Sequence, residues 1–190
     1  CCLGVRSRQG NWQETQKALS SQSPWIYFEV LEVCGALHRL MPALTELLAR
    51  RPQALNTLRL TSAASTRTEV RFTGVLYQLN KPQIEDLAKQ IKLPNQHKAL
   101  ALATSNHQRQ LRAYTELEAA QKHLLLSNLG FMRHTELLDD LLCLCQAITQ
   151  TQEPLFGWQS PKQTMLDDLE RIHAVKPASL KRQHETSAEA

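Results

Sequence analysis

Apolar positions recur at helical spacing along most of the chain. Phe72, Val75, Leu76 and Leu79 follow the i, i+3, i+4, i+7 spacing of a single helix face. Comparable patterns around residues 25–34, 84–91, 94–114, 118–129, 135–149 and 165–172 predict further amphipathic helices. No stretch alternates convincingly between apolar and polar residues, as a half-buried strand would. The pattern therefore predicts an all-α fold, organised as a multi-helix array.

The apolar segment FEVLEVCGALHRLMPAL, residues 28–44, is predicted to bend twice. Gly35 fits the left-handed position that ends a helix, and Pro42 fits the first position of a new helix after a single intervening turn. We interpret the segment as a packed joint whose apolar faces form a core. Three aromatic residues are expected in that core rather than as base-stacking platforms: Trp25, Tyr27 and Phe28.

Several helix ends can be predicted from local residue types. Asn11 followed by Glu14 is typical of a capping box and predicts a helix that starts at Trp12. Gly130 predicts the end of the helix before it. The polar segment from residue 177 to residue 190 predicts a frayed, disordered tail.

Composition is that of an ordinary soluble globular protein, with 42% hydrophobic and 21% charged residues. No apolar run approaches the roughly 18 residues that a membrane span needs, and the first ten residues do not form a signal peptide. The five cysteines are an odd number, and three of them lie in apolar helical patterns. These features predict free thiols and a cytoplasmic protein that has no membrane partner.

The charge balance is mildly basic, with a net charge of +4 and a pI of about 8.9. Such a balance permits a polyanionic partner without requiring one. The basic residues are dispersed along the chain, a distribution that is also typical of a solvated surface. Charge alone leaves both interpretations open.

Residue spacing gives no support for a catalytic or metal site. His97 and His107 lie ten residues apart and point in different directions on a helix, and Cys143 and Cys145 point to nearly opposite sides. His134 is not suitably spaced from the aspartates that follow it. No glycine-rich phosphate loop or nucleophile elbow is present. Adjacent carboxylates such as Glu85-Asp86, Asp139-Asp140 and Asp167-Asp168 are interpreted as solvated helix faces.

The run from Trp12 to Leu44 resembles the neck region of bacterial tRNA nucleotidyltransferases, the CCA-adding enzymes, a region shared with bacterial poly(A) polymerases. The matching features occur in order over some thirty residues: Trp12-Gln13-Glu14, Lys17, Leu19, Pro24, Phe28, Leu31, Cys34-Gly35-Ala36-Leu37 and Leu40-Met41-Pro42. Residues 92–108 are similar to the following body helix of the family, and residues 124–148 to the next helix pair. The resemblance implies the neck, body and tail helices of a class II nucleotidyltransferase.

Residues 70–82 are similar to the segment in which some members carry the histidine–aspartate metal motif of an HD phosphohydrolase domain. Tyr77 and Gln78 stand where that dyad would be, and Asn56 stands in the place of the first metal histidine. Tyrosine and glutamine cannot replace an imidazole and a carboxylate on a hard divalent ion. The resemblance therefore implies a degenerate HD domain that has lost its metal and its phosphohydrolase activity.

The catalytic head of the family bears strands, a nucleotide-grip motif and metal-binding aspartates, and no such segment precedes Trp12. We expect a chain without this head, derived from a truncated or frame-shifted gene or ending at an artificial boundary. Mg²⁺ and CTP or ATP would belong to the head, so no cofactor is expected here. The predicted parts are a disordered or aberrant leader (1–10), an RNA-binding helical neck (11–50), a helical body and tail with a degenerate HD-like region (53–176) and a disordered end (177–190).

The resemblance implies that these helices hold the acceptor and TΨC arms of tRNA for a separate or upstream-encoded nucleotidyltransferase head. Five basic residues are predicted to contact RNA phosphates: Lys17, Arg39, Arg109, Arg112 and Lys122. Taken one at a time, each of these residues fits a plain surface charge better than a phosphate contact. The alternative function is a free-standing helical protein-interaction module without an RNA role. No catalytic residue is predicted in this chain.

Overall fold

The computed structural model describes residues 8–132, 135–155 and 157–185. Over these residues the chain forms eleven α-helices, two short 3-10 helices and no β-strand, so the all-α prediction is confirmed. The α-helices are α1 (Arg8–Leu19), α2 (Trp25–Val33), α3 (Ala36–Leu40), α4 (Pro42–Arg50), α5 (Leu55–Ala64), α6 (Thr68–Leu76), α7 (Lys81–Ile91), α8 (Asn95–Arg112), α9 (Ala119–Asn128), α10 (Leu138–Gln152) and α11 (Lys162–Glu185). The 3-10 helices are Pro52–Ala54 and Tyr114–Glu116.

The double bend between α2 and α4 follows the prediction. Gly35 separates α2 from α3 with a φ of 68°, a left-handed conformation that glycine adopts without a steric penalty. The helix α3 has five residues, and Pro42 then begins α4. Gly130, after α9, also has a positive φ of 73°. Both predicted glycine positions and the predicted proline position are therefore confirmed.

Three other helix ends differ from the predictions. The helix α1 already includes Arg8, so Asn11 lies inside it rather than at its start; no proline interrupts residues 8–12. The helix α10 starts at Leu138 instead of Thr135, because the residues before Leu138 form a turn closed by its N–H on the Thr135 carbonyl, 3.0 Å away. At the other end of the chain, the backbone of α11 remains helical to Glu185, and residues 178–185 are mostly good helix formers. The remainder of the predicted leader and tail, residues 1–7 and 186–190, lies outside the described residues.

The core consists of two clusters of buried apolar side chains. The first joins α1 to α7 and extends into α8 at Ala101. The second joins α8 to α11 and includes Val70 from α6. The helix α6 packs against both α5 and α8, and α10 packs against α5, α6 and α8. The predicted division between a neck (11–50) and a body (53–176) therefore falls inside the first cluster, which both parts share.

A buried arginine connects the ends of two helices in the first half of the chain. Arg71, on α6, is only 7% exposed. Its guanidinium donates to the carbonyls of Leu19 and Ser21, at the end of α1, over 2.7 and 2.9 Å. It also donates to the carbonyls of Ser62 and Ser65, at the end of α5, over 3.2 and 2.6 Å. One cation thus satisfies carbonyls at two helix C-termini, where a positive charge is favoured.

A glycine lets α5 and α6 approach each other closely. Gly74 is buried in α6, and a Cβ atom placed there would lie 2.7 Å from Oγ1 of Thr61 and 3.2 Å from the carbonyl oxygen of Thr57. The backbone of Thr57 cannot move away without moving α5. The absence of a side chain at this position therefore fixes the spacing of the two helices.

Cys34, Cys143 and Cys145 are free thiols, in agreement with the prediction for these three residues. None of the described helices combines the length and the apolarity that crossing a membrane requires.

Candidate nucleic-acid interface

Three of the five predicted phosphate contacts lie on the protein surface. Lys17 is in the last turn of α1 with a side chain 74% exposed, and its Nζ atom lies 3.6 Å from the Glu14 carboxylate. Arg39 is exposed in the last turn of α3, and Arg109 is exposed in the last turn of α8. An exposed ion pair such as that of Lys17 is worth only about 0–1 kcal/mol, so a phosphate could readily replace the carboxylate. These three cations are available to a ligand.

Arg112 connects the ends of α8 and α10. Its side chain is 15% exposed and donates to Oε1 of Gln152 over 2.8 Å and to Oε1 of Glu153 over 2.5 Å. Its own carbonyl accepts a hydrogen bond from the indole N–H of Trp158 over 2.9 Å. A phosphate would have to compete with Glu153 for this guanidinium.

Lys122, on α9, forms an ion pair with Asp168 on α11. Its side chain is 20% exposed, and its Nζ atom lies 3.6 Å from Oδ2 of Asp168 and 5.1 Å from the centre of the Tyr114 ring. The Tyr114 hydroxyl donates to the same carboxylate oxygen over 3.0 Å. Burial, followed by the interaction with Asp168, raises the pKa of Tyr114 far above its ordinary value, so the hydroxyl remains a donor. The role of Lys122 as an RNA contact stays a prediction, with Asp168 as the competing anion.

The five predicted residues are separated in the sequence and lie on four different helices. Arg109 and Arg112 share the last turn of α8, three residues apart, whereas the other three lie separately on α1, α3 and α9. A ligand that touched all five would have to extend over several helices. An extended polyanion meets this requirement, while a single small anion does not.

Three further lysines, outside the five predicted contacts, lie at the junction of α7 and α8. Lys89 and Lys98 line an open groove there, together with Glu85, Ala88, Leu93 and Asn95. Lys92 lies between them on the connecting turn and is exposed. The recurrence of three lysines within ten residues around a leucine–proline turn is the sequence signal that could have identified the group.

Tyr77 and Gln78, which stand in the place of the family's metal dyad, make hydrogen bonds with other parts of the protein. Tyr77 is 7% exposed, and its hydroxyl lies 3.4 Å from Oγ1 of Thr57, which in turn donates to Oγ1 of Thr151 over 3.0 Å. Gln78 donates from its amide to the carbonyl of Ala54 over 3.1 Å, and Asn56 is exposed. Burial raises the pKa of Tyr77, against a smaller lowering by the Thr57 hydrogen bond. The neutral phenol and the hydroxyls are poor ligands for a hard cation.

The adjacent carboxylates Asp139 and Asp140 form ion pairs with basic residues of other parts of the chain. Across the described part of the chain, no group of three or more His, Cys, Asp or Glu side chains could hold a metal ion, while His134 lies outside it. Asp139 lies 2.7 Å from Nζ of Lys162, and the largely buried Asp140 lies 2.7 Å from a guanidinium nitrogen of Arg67. The interpretation of Asp140 as part of a solvated helix face is therefore wrong, because this carboxylate is buried. The Arg67 guanidinium offsets part of the cost of that burial, which on balance still raises the pKa of Asp140.

His97 is a buried histidine at the start of α8. Its ring packs edge-on against Trp12 with 4.7 Å between ring centres, and its Nε2 atom lies 3.1 Å from Oγ1 of Thr68. Burial lowers the pKa of His97, and the charge of Arg67 adds a smaller lowering while that of Glu69 opposes it. The ring is neutral in the folded protein at neutral pH and connects α1, α6 and α8.

Lowering the pH is expected to destabilise the fold through His97. Since its pKa is lower when folded than when unfolded, the unfolded chain binds more protons as the pH falls below about 6.5. The stability that neutral His97 contributes is therefore complete above that pH and is progressively lost below it. We expect a His97→Gln variant to be about 1–3 kcal/mol less stable than the wild type at pH 7.5. In urea unfolding at pH 7.5, 6.5 and 5.5, the difference in the free energy of unfolding between the two proteins should become smaller as the pH falls. A constant difference between the two proteins over this range would contradict this role for His97.

Comparison with curated proteins gives relatives over most of the chain. The multifunctional CCA protein of Shewanella frigidimarina is 31% identical, in an alignment covering 70% of this chain and 40% of that protein. The counterpart from Teredinibacter turnerae is 30% identical, with 86% of this chain and 48% of that protein covered. The counterpart from Aliivibrio salmonicida is 29% identical, with 72% and 41% covered. The chain thus spans less than half the length of each of these relatives.

No protein-family model matches the chain, and no solved structure matches it.

Proposed function

Since the chain is a member of the CCA-adding tRNA nucleotidyltransferase family, related to the multifunctional CCA proteins over 70–86% of its length, we propose that it is a tRNA-binding part of such an enzyme. The aligned share of the relatives, 40–48%, is consistent with their C-terminal part. In this proposal the helices hold the acceptor and TΨC arms of tRNA, and a nucleotidyltransferase head supplies the chemistry. The relationship over most of the chain is the observation that carries the proposal.

The surface supports binding through phosphates rather than through bases. Lys17, Arg39 and Arg109 are exposed cations on three different helices. Two aromatic residues of α2 have contacts within the protein: Phe28 is fully buried, and Trp25 lies under the Arg59 guanidinium at 5.4 Å. Stacking of bases requires accessible rings, whereas contact with an A-form backbone requires spaced cations. The proposed recognition is therefore of shape and charge.

We infer that the HD-like region serves as a scaffold. The hydroxyls of Tyr77, Thr57 and Thr151 connect the end of α6 to α5 and α10. Hydrogen bonds between these groups can hold the helices together without a cation. Loss of phosphohydrolase chemistry is thus compatible with retention of the helical array.

Titration with tRNA at two salt concentrations tests the proposal. If about five phosphates are neutralised, a rise from 50 to 200 mM monovalent salt should weaken binding by roughly 100- to 500-fold, because each contact releases condensed counterions. Fluorescence anisotropy of an end-labelled tRNA gives the dissociation constants. A DNA duplex of matched length is the control for A-form shape, and it should bind more weakly at 50 mM salt. Failure to bind tRNA even at 50 mM salt would contradict the proposal.

A second candidate function, protein binding, is favoured by one face of α2. Ile26, Val30 and Val33 form a stripe at i, i+4, i+7 and are 50%, 56% and 90% exposed. The opposite face of α2 buries Phe28 and Leu31, so the helix is apolar on both sides, as is typical of a helix enclosed by other polypeptide. If tRNA does not bind at either salt concentration, the stripe would support a protein-interaction module without an RNA role.

A further inference from the structure

Lys89, Lys92 and Lys98 lie at the junction of α7 and α8, beside an open groove. The open groove at this junction has a volume of about 420 Å³ and is lined by residues of the last two turns of α7, by Leu93, and by the first turn of α8. From this geometry we propose that the groove binds phosphates of the RNA backbone. The proposal rests on the proposed tRNA-binding function and adds a site to it.

The walls of the groove are held in a fixed position. Lys92 ends α7 in a left-handed conformation with a φ of 55°, and its N–H and that of Leu93 both bond to the carbonyl of Ala88. Leu93 is 7% exposed and belongs to the first core cluster. On the α8 side, the contacts of His97 with Trp12 and Thr68 fix the first turn. A ligand would therefore meet a preformed surface.

The charge around the groove is positive. The segment from Lys81 to Lys98 contains four lysines and two acidic residues, a formal net charge of +2, which is half of the +4 of the whole chain. The two acidic residues, Glu85 and Asp86, make exposed ion pairs at 4.0 Å with Lys81 and at 3.6 Å with Lys89. Such pairs contribute about 0–1 kcal/mol, so they offer little resistance to a phosphate that competes for Lys89.

The lining of the groove indicates which part of an RNA it would contact. It contains no aromatic side chain on which a base could stack, and its apolar members are only Ala88 and Leu93. Lysine is a point charge on a flexible stem and binds phosphate without reading sequence. Pro94 makes no side-chain cap on the first N–H groups of α8, and Asn95, in the first turn of that helix, lines the groove. The expected ligand is the phosphodiester backbone of a structured RNA.

The experiment compares two triple variants of the whole chain with the wild type. One carries Lys89→Gln, Lys92→Gln and Lys98→Gln. The matched control removes three exposed cations elsewhere, by Arg50→Gln, Lys162→Gln and Arg171→Gln, each of which makes an exposed or half-exposed ion pair. Circular dichroism melting should show all three proteins folded. Affinity for an end-labelled tRNA is then measured between 50 and 200 mM salt.

The groove variant should bind tRNA at least about 10-fold more weakly than the control at 50 mM salt, and the slope of log affinity against log salt should be smaller by about 2–3. Equal affinities and slopes for the two variants, with tRNA binding by the wild type intact, would overturn the groove while leaving the proposed function in place. No binding by the wild type would overturn both. Binding of polyglutamate with the same dependence on the three lysines would overturn the assignment to RNA in favour of an acidic protein partner.

Discussion

Replacing Arg71 with methionine is expected to destabilise the protein by about 3–5 kcal/mol, a large part of the roughly 5–15 kcal/mol that a domain usually has. Methionine fills a similar volume but leaves four carbonyls without their donor: those of Leu19, Ser21, Ser62 and Ser65. Each buried acceptor left unsatisfied costs about 1–3 kcal/mol, reduced where water can enter. Urea unfolding followed by circular dichroism measures the loss.

Two further variants separate the role of Arg71 from a general effect of arginine removal. Arg71→Lys keeps the charge but cannot reach four carbonyls with one ammonium group, so an intermediate loss is expected. Arg50→Met removes an arginine whose side chain is 76% exposed and whose ion pair with Glu46 spans 3.5 Å, and should change stability by less than about 0.5 kcal/mol. A loss below 1 kcal/mol for Arg71→Met would contradict the structural role of this guanidinium.

Replacing Phe28 with alanine is expected to cost about 3–5 kcal/mol and to disrupt the joint between α2 and α4. Phe28 is fully buried, stacks on Phe72 with 6.0 Å between ring centres, and meets the Tyr27 ring edge-on at 5.3 Å. Alanine would remove these contacts and leave a cavity between α2 and α6, which the surrounding helices could only partly close. Denaturant unfolding and near-ultraviolet circular dichroism would report the loss of stability and of ring packing.

The control for Phe28 lies two residues away on the same helix. Val30→Ala removes an apolar side chain that is 56% exposed, so the expected change is less than about 0.5 kcal/mol. An outcome in which Phe28→Ala weakened tRNA binding without loss of stability would instead make this ring part of a binding surface, contrary to its burial.

The features predictable from sequence are those that depend on residues close together in the chain. The helical periodicity identified nearly all the helices, and the backbone preferences of Gly35, Pro42 and Gly130 located three of their ends. The burial of Phe28 followed from its place on an apolar face. These signals are local because helical hydrogen bonds and steric limits on φ act over a few residues.

The features that could not be predicted depend on contacts between distant residues. Arg71 follows Val70 and precedes Phe72 in a helical segment where a charged residue is ordinarily solvated, yet its carbonyl partners lie up to 52 positions away. The same holds for Arg112, which pairs with Glu153, and for Lys122, which pairs with Asp168. The sequence shows that these cations exist, but only the packing of α8, α10 and α11 shows which anions compete for them. The phosphate-binding roles of all five selected residues stay predictions.

The first core cluster limits the positions at which recombination between genes could divide this chain. One continuous interior is filled by side chains between Trp12 and Leu48 and between Ala54 and Ala101. Arg71 connects the end of α1 to the end of α5 through its hydrogen bonds. A recombination junction at residues 50–52 would expose apolar surface on both products, because each would lose the side chains that cover it. We accordingly expect helices α1 to α7 and the start of α8 to be inherited together, as one module that includes both sides of the predicted boundary between the neck (11–50) and the body (53–176).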